Sequence, residues 1–279
     1  MQMWRCVVSG ISAPAENMAL DEALLTSACR SGVPVLRLYG WSPATVSIGF
    51  AQKVTEALNL EEIAKRNLAW IRRPTGGRAV LHDMEVTYSV SVPASTPLYQ
   101  LGLAASYEYL CHPIIMALQY LGIHAVLSPH SSAGFISASC FTAPGTTDIL
   151  VNHRKIVGSA QVRSRDGFLQ HGSIVLKQNL ETLFAVVRTP EDEPAIAARR
   201  AARFTTSVSD EAGRTVSFQE MVVALIRCFS SADDVNLVHD ITTPEETALC
   251  SQLCKNKYTC DGWNALRLLE WIIYFCDCQ

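Results

Sequence analysis

Apolar and polar residues recur along this chain with the periods of helices and strands. Between residues 17 and 32 the apolar side chains return every three or four positions and the run stops at Gly32, which predicts an amphipathic helix. Residues 34–40 and 44–50 are rich in apolar and β-branched side chains on either side of a Trp-Ser-Pro segment, which predicts two strands around a turn. The first predicted elements are therefore one helix and two strands.

Helical and extended patterns continue to alternate through the first half of the chain. Helical spacing from 55 to 67 predicts a helix with Thr55 as its N-cap, and a longer helix is predicted from about Leu101 to Leu121. Short extended runs between and after these helices predict strands at 69–73, 79–83, 85–93 and near Ala125.

Three extended runs joined by short turns predict an antiparallel meander in the middle of the chain. The runs are DILVN, KIVGSAQVR and FLQHGSIVL, with turns at residues 153–154 and 165–167. Strands that precede helices in this way indicate an α+β fold, with a mixed, mostly antiparallel sheet flanked by helices. The helices are predicted beyond Lys177, at 180–187, 190–203, 217–230 and 244–258.

The composition is that of a globular protein and excludes some classes of partner. Apolar residues make up 49% and charged residues 18% of the 279 positions, and a net charge of -3 gives no electrostatic footprint for nucleic acid or an anionic membrane. The first residues lack the pattern of an export signal, and no apolar run reaches the length of a membrane span. We therefore expect a cytoplasmic protein whose ten cysteines default to buried thiols rather than disulfides.

A double glycine between two predicted strands indicates a ligand site. In RRPTGGRAVLHD, residues 72–83, Gly76 and Gly77 lack a Cβ, so a ligand can approach the backbone closely. Arginine, histidine and aspartate side chains lie within the same short segment. The segment lacks the GK[ST] of a P-loop and the GxGxxG of a dinucleotide-binding turn, so neither type of nucleotide site is predicted.

Three segments resemble a single superfamily: RRPTGGRAVLHDMEVTYS (72–89), RKIVGSAQVR (154–163) and LQHGSIVL (169–176). They are similar to the lipoate/biotin protein ligase superfamily, and most closely to its octanoyltransferases of the LipM type. The segments NMALDEALL, RLYGWSPATVSIGFAQ and KYTCDGWN fit the same pattern. The resemblance implies one catalytic domain over residues 1–279, with core motifs at about 30–240 and a helical C-terminal part.

The resemblance also implies a reaction, the transfer of an octanoyl group from acyl carrier protein to a lysine of a lipoyl domain in lipoate biosynthesis. The implied acceptors are glycine cleavage H protein or dehydrogenase E2, and the enzyme is expected to be a monomer. Because the octanoyl group arrives as a thioester on the phosphopantetheine of the carrier protein, no ATP, metal or other cofactor is expected.

Two residues occupy the catalytic positions of the LipM-type enzymes, Cys140 and Lys155. Cys140 lies in the irregular segment 129–147, a length of loop that is usually functional, and Lys155 begins the next strand. A free thiol has a pKa of about 8.5, and a nearby ammonium favours the reactive thiolate. We therefore predict that Cys140 carries an acyl thioester and that Lys155 activates it, with structural burial as the alternative for Cys140.

The same resemblance assigns an apolar tunnel to the segment from Thr75 to His82 together with residues 158–160 and 172–174. Backbone N–H groups near Gly158 are the expected donors to the oxyanion. His82 and His171 are either proton shuttles or structural histidines with satisfied hydrogen bonds. The predicted substrate-binding residues are Arg73, Thr75, Gly76, Gly77, Arg78, Ala79, His82, Gly158, Ser159, Ala160, His171, Gly172 and Ser173.

Several other side chains are predicted to have structural roles. Trp41 and Trp263 are interpreted as core anchors. Asp21 and Glu22 are assigned to a solvated helix face, with binding a partner or orienting an arginine as the alternatives. No metal site is predicted, because the paired C-x2-C spacing of a strong zinc site is absent from Cys250, Cys254, Cys260, Cys276 and Cys278.

Three alternative functions remain at this point: an ATP-dependent lipoate protein ligase, an amidotransferase between lipoyl proteins, and a non-catalytic scaffold that binds lipoyl domains. Such ligases usually need an accessory C-terminal domain, for which little chain remains after residue 240. The apolar segment 266–279 departs from the family pattern and is predicted to pack as a helix or to form a dimer contact.

Overall fold

The structure is a computed structural model that describes residues 1–128, 148–189, 193–232 and 234–265. The strands in these ranges are β1 (Gln2–Ser12), β2 (Val35–Trp41), β3 (Thr45–Ile48), β4 (Ala69–Arg72), β5 (Val80–His82), β6 (Glu85–Pro93), β7 (Val126–Leu127), β8 (Ile149–Val151), β9 (Arg154–Arg163), β10 (Gly167–Val175) and β11 (Val235–Asp240).

The helices in the same ranges are α1 (Pro14–Ser31), α2 (Val54–Ala57), α3 (Leu60–Lys65), α4 (Pro97–Gln100), α5 (Gly102–Tyr120), α6 (Leu180–Val186), α7 (Pro194–Ala201), α8 (Val208–Ala212), α9 (Phe218–Ser230), α10 (Pro244–Leu253) and α11 (Asp261–Asn264). A π-helical turn, Cys254–Tyr258, connects α10 to α11. Among the helices described, none combines the length and the apolar character that a membrane span requires.

The strands form two sheets. The larger sheet has the order β11-β1-β2-β6-β10-β9-β8-β7, and the smaller has the order β4-β3-β5. In the larger sheet β1 pairs in parallel with β2 and β11, whereas the other pairs are antiparallel. The predicted α+β fold with a mixed, mostly antiparallel sheet is confirmed, and so is the predicted meander of β8, β9 and β10.

The larger sheet is covered on both faces, so its central strands are buried throughout. Leu36 and Leu38 of β2 point into the apolar cluster beneath α5 and α9, whereas Val35 and Tyr39 point into the cluster beneath α1 and α10. This alternation follows from the period of two along a strand. A third cluster packs the smaller sheet against α2, α6 and α7.

The first predicted helix is confirmed and extends three residues further towards the N-terminus. Pro14 occupies the first turn of α1, where a residue without an N–H loses no helical hydrogen bond. At the other end Gly32 adopts φ 74° and its N–H donates to the carbonyl of Ala28. Glycine tolerates this left-handed conformation without a Cβ clash, which explains why the helix ends there.

The single helix predicted for 55–67 is wrong, and Thr55 is not its N-cap. The segment forms α2 and α3, separated at Leu58 and Asn59. The N–H of Asn59 donates to the carbonyl of Val186, the last residue of α6, at 2.8 Å, so this backbone is paired with another element instead of continuing its own helix. The Asn59 side chain then caps α3 by accepting a hydrogen bond from the N–H of Glu62.

Two strands, β1 and β11, and three short helices, α4, α8 and α11, were not predicted. β1 and β11 pair in parallel at one edge of the larger sheet, although about 230 residues separate them. Of the short helices, α8 lies between α7 and α9. The predicted meander turn lies one residue earlier, at Asn152 and His153, which both have positive φ. The helix predicted for 244–258 leaves the α-helical form after Leu253. The segment 266–279 lies outside the described residues.

Arg72 at the end of β4 connects three parts of the fold that are distant in sequence. Its side chain is fully buried. Its Nε donates to the carbonyls of Trp263 and Asn264, each at 3.1 Å, and the indole Nε1 of Trp263 donates back to the Arg72 carbonyl at 2.9 Å. Its Nη1 donates to three carbonyls of the loop after β3, at Gly49, Phe50 and Gln52.

We expect Arg72→Met to lower the free energy of unfolding by about 3 kcal/mol, because several buried carbonyls lose their donor. Urea denaturation measures this change. Arg66→Met is the matched control: Arg66 is exposed and lies 3.5 Å from Glu62, and such surface pairs contribute less than about 1 kcal/mol. Equal losses in the two variants would contradict the structural role of Arg72.

Candidate active site

A pocket opens between the larger and the smaller sheet. One wall comes from β9 and β10, and the opposite wall comes from β5 and the glycine loop before it. Most of its surface is apolar or backbone. The lining residues are Met18, Tyr39, Trp41, Ser47, Arg73, Gly77, Val80, His82, Thr87, Lys155, Gly158, Ser159, Ala160, His171, Gly172 and Ser173.

Lys155 supplies a buried positive charge to the pocket wall. Its side chain is 3% exposed, and its Nζ lies 2.9 Å from Oδ1 of Asp148, which is also buried. The backbone is fixed as well, since the Lys155 N–H donates to Phe204 and its carbonyl accepts from Thr206. Burial of an ammonium requires such a counter-charge, and the ion pair provides it.

The absence of a side chain at Gly158 leaves the space that the Lys155 side chain occupies. A Cβ at residue 158 would lie 2.7 Å from Cε and 2.9 Å from Nζ of Lys155, closer than real side-chain contacts allow. The lysine therefore lies flat against the β9 backbone at this glycine. Lys155 and Gly158 were predicted to belong to the same site, and the structure brings them together.

Gly172 on the neighbouring strand is required for a similar reason. A Cβ there would lie 2.6 Å from the Tyr88 ring and 2.7 Å from Oγ of Ser159. The Tyr88 hydroxyl is 2.6 Å from Ser159 Oγ and accepts a hydrogen bond from Gln170. Burial raises the pKa of Tyr88 well above its usual range, so this hydroxyl stays protonated.

Arg73 organises the glycine loop from inside the pocket wall. Its guanidinium donates to the carbonyls of Gly76 and Arg78, and also to the carbonyl and hydroxyl of Ser47. The backbone of Gly77 has φ 93°, which favours glycine. Arg73 and Gly77 line the pocket, whereas Gly76 and Arg78 act through their carbonyls.

Thr75 and Ala79, two further predicted binding residues, lie behind the lining rather than in it. Thr75 is fully buried, with its hydroxyl 2.6 Å from Nε2 of His171. Ala79 packs in the apolar cluster of the smaller sheet. Gly49 also shapes this wall, because a Cβ there would overlap the carbonyl of Gly77.

His82 is held by a buried carboxylate and an indole ring. Its Nδ1 lies 2.8 Å from Glu85, its Nε2 lies 2.7 Å from Ser47 Oγ, and its ring stacks on Trp41 with centroids 4.2 Å apart. Glu85 accepts further hydrogen bonds from Thr87 and Ser173. Both nitrogens of His82 thus have partners, which favours a structural histidine over a proton shuttle.

His171 is engaged in the same way by a second buried carboxylate. Its Nε2 bonds Thr75, and its Nδ1 lies 3.4 Å from Asp21. Burial lowers the pKa of His171 although Asp21 opposes the shift, so the ring is neutral near neutral pH. The neutral His171 ring, with Thr75 and Asp21 as its two partners, therefore helps to fix the position of the pocket wall.

Asp21 and Glu22 do not lie on a solvated helix face, and that prediction is wrong. Asp21 is fully buried and accepts hydrogen bonds from Arg37 and Tyr39 at 2.7 and 2.8 Å. Burial acts to raise the pKa of Asp21, but the positive charge of Arg37 and further hydrogen bonds outweigh it and hold the pKa below its usual range. Asp21 instead has the role that was given as an alternative, because it orients an arginine, Arg37.

Glu22, the next residue of α1, accepts from Lys257 at 2.7 Å and from the Tyr258 hydroxyl at 2.6 Å. Trp263 is buried nearby as predicted, and Trp41 is buried as well but also lines the pocket. Helical spacing could not have identified either carboxylate, because charged residues on α1 give no sign of the buried arginine or lysine that faces them.

Cys140 lies outside the described residues. The cysteines that are described do not line the pocket. Burial raises the pKa of Cys6 and Cys29 to about 11 and that of Cys111 to about 12, so these thiols remain protonated. In the described part of the chain, no three His, Cys, Asp or Glu side chains are grouped as metal ligands.

Comparison with known proteins agrees with this architecture. The sequence model of the lipoyl protein ligase A/B catalytic domain matches residues 13–230. Octanoyltransferase LipM of Brevibacillus brevis is 36% identical, over 96% of this chain and 100% of the relative. The LipM octanoyltransferases of Kyrpidia tusciae and Bacillus subtilis are 40% and 34% identical, each over 95% of this chain and 99% of the relative.

Solved structures show the same fold. A bipartite lipoate protein ligase from Thermoplasma acidophilum superposes with a TM-score of 0.80 at 25% identity, covering 96% of this chain and 98% of that one. A lipoate-protein ligase A bound with ATP gives a TM-score of 0.80 at 26% identity, covering 96% of this chain and 100% of the other. The sequence resemblance is thereby confirmed, and this chain belongs to the lipoyl protein ligase A/B catalytic domain family.

Proposed function

We propose that this protein is an octanoyltransferase of lipoate biosynthesis, which moves an octanoyl group from acyl carrier protein to a lipoyl-domain lysine. The prediction of an acyltransferase is confirmed by full-length relatives that carry this name. The observation that carries the proposal is an apolar pocket with the buried ammonium of Lys155 in its wall.

The pocket suits a linear acyl chain. Gly158, Ala160 and Gly172 offer backbone and small side chains to a substrate along one wall, and Met18 and Val80 offer apolar side chains elsewhere. Each methylene transferred from water to such a surface contributes about 0.8 kcal/mol, so an octanoyl chain gains several kcal/mol of binding free energy. The thioester end then lies beside Lys155.

The first chemical step is attack by the Cys140 thiolate on the carrier-protein thioester. A C–S bond to Cys140 forms, the C–S bond to phosphopantetheine breaks, and the departing carrier thiolate takes up the proton that Cys140 lost. The Lys155 ammonium favours the thiolate and stabilises the oxyanion, together with backbone N–H groups of residues 158–160. Asp148 keeps the ammonium fixed at 2.9 Å.

The second step is attack by the neutral amine of the acceptor lysine on the acyl-enzyme thioester. An amide C–N bond forms, the C–S bond to Cys140 breaks, and the proton lost by the amine returns to the thiolate. Exchange between thioesters is nearly isoenergetic and amide formation from a thioester is downhill. The reaction therefore needs no ATP, metal or other cofactor.

The acceptor is proposed to be glycine cleavage H protein or dehydrogenase E2. Support comes from family membership, because one structural neighbour is described together with its E2 lipoyl domain. We also propose that the enzyme is a monomer and is located in the cytoplasm. Its net charge of -3 and its composition are consistent with soluble protein partners.

We expect the protein to add one octanoyl group to a lipoyl domain when it is given octanoyl acyl carrier protein without ATP. Intact-mass spectrometry of the acceptor measures the product. Cys140→Ala should abolish transfer and leave no hydroxylamine-sensitive acyl adduct on the enzyme. Cys228→Ala is the control, since Cys228 is in α9, away from the pocket lining.

Other results identify the alternatives. Full activity of Cys140→Ala would exclude the thioester mechanism. Modification that requires ATP and free octanoate would indicate a ligase instead, and transfer from octanoylated H protein but not from acyl carrier protein would indicate an amidotransferase. A protein that binds lipoyl domains without modifying them under any of these conditions would be a scaffold.

We expect Gly158→Ala to lower kcat by about 100-fold, because the new methyl group displaces the Lys155 ammonium from the reacting carbonyl. The displaced atoms are the end of a flexible side chain, so the fold should survive, as thermal denaturation would show. In a Lys155→Ala background the same substitution should cost little more, since no ammonium remains to be displaced. Additive losses would contradict this coupling.

A further inference from the structure

We propose that Trp41 determines the length of the acyl chain that the pocket accepts, because its indole closes the pocket where an octanoyl chain ends. The assignment rests on the proposed function, since it takes the acyl carbonyl to lie beside Lys155. It adds the residue that distinguishes octanoyl from longer acyl groups.

A row of facing residues crosses the larger sheet along the pocket. Gly158 of β9 lies opposite Ser173 of β10, which lies opposite Thr87 of β6. Thr87 in turn lies opposite Tyr39 of β2. Directly opposite residues point to the same face of a sheet, and all four line the pocket. Because neighbouring strands are about 4.8 Å apart, this row runs about 10 Å from Gly158 to Thr87 and about 14 Å to Tyr39.

An octanoyl chain fits the first part of this row. Carbon–carbon bonds of about 1.5 Å that meet at about 111° advance about 1.25 Å each along an extended chain, so an octanoyl group spans about 9 Å. With its carbonyl beside Lys155 and Gly158, its terminal methyl reaches Thr87 and stops short of Tyr39. A dodecanoyl chain spans about 14 Å and would reach Tyr39.

The indole of Trp41 occupies the remaining part of the row. Its Nε1 donates to Oγ1 of Thr87 at 2.7 Å, and its ring centroid lies 5.8 Å from that of Tyr39. The indole therefore lies between the point that an octanoyl methyl reaches and the last strand of the row. An acyl chain that is longer than octanoyl meets this ring.

The indole is fixed, so a longer chain cannot displace it without a cost in free energy. It stacks on His82 with the ring centroids 4.2 Å apart and the planes 17° apart. His82 is itself held by Glu85 and Ser47. Rotation of the indole would break this stacking and the hydrogen bond to Thr87 together. Extra methylenes forced against a fixed side chain are destabilising, which makes Trp41 selective for length.

A groove continues on the far side of Trp41. It is lined by Ile11, Met84 and Phe218 among others, and of the described residues Trp41 is the one that lines both this groove and the pocket. A shorter side chain at position 41 therefore connects the pocket to the groove and gives additional methylenes a place to lie.

Competition between two donors tests the assignment. The enzyme receives equal concentrations of octanoyl and dodecanoyl acyl carrier protein with a lipoyl domain, and intact-mass spectrometry of the lipoyl domain gives the product ratio. This ratio compares the two kcat/KM values within one sample, so it does not depend on how much of a variant is folded. We expect the wild-type protein to favour octanoyl at least about tenfold and Trp41→Ala to reduce this preference below about threefold. Trp41→Phe, which keeps a ring beside His82, should give an intermediate ratio.

Trp70→Ala is the matched control, because Trp70 lies on β4 against the apolar cluster of the smaller sheet and outside the pocket lining. It should keep the wild-type ratio. An unchanged ratio in Trp41→Ala, or an equal change in Trp70→Ala, would overturn the assignment. Loss of both products in Trp41→Ala and in Trp41→Phe would assign Trp41 a structural role and would overturn it as well.

The wild-type protein separates the assignment from the proposed function. If it used the two chain lengths equally, Trp41 would not limit length, although the octanoyltransferase activity would stand. If it transferred neither chain from acyl carrier protein, the proposed function would fail, and the assignment with it.

Discussion

The buried carboxylate of Asp21 is the interaction on which the arrangement of this pocket depends. It accepts hydrogen bonds from Arg37 and Tyr39 of β2 and from Ser89 of β6, and it lies 3.4 Å from His171 of β10. One side chain of α1 thus fixes the helix against three neighbouring strands of the larger sheet. A buried charge is tolerated only when it is compensated, so these strands have to be in register for α1 to pack.

Glu85 has the corresponding role at the other end of the pocket. Its carboxylate accepts from Thr87 and Ser173 and pairs with His82 of the smaller sheet. The larger sheet supplies the carboxylate and the smaller sheet supplies the imidazole, so this contact joins the two sheets at the pocket. The apolar surface of the pocket lies between these two polar networks.

The sequence motifs identified the pocket better than they identified its supports. Lys155, Gly158 and Gly172 were predicted because they lie in the segments that carry the family resemblance. Asp21 was assigned to solvent, because a carboxylate on an amphipathic helix usually is exposed and its partners lie on strands distant in sequence. Local patterns describe a residue's own element, whereas burial of a charge depends on the element across from it.

The Glu22 contacts have a consequence for how the chain folds during synthesis. Lys257 and Tyr258, which satisfy this carboxylate, are 235 and 236 residues further along the chain. The pairing of β1 with β11 can likewise form only after β11 has been synthesised. The ribosome therefore releases α1 long before its partners exist, and contacts of such sequence separation form slowly. During that interval α1 has an uncompensated carboxylate, which keeps this face hydrated until residues 257 and 258 arrive.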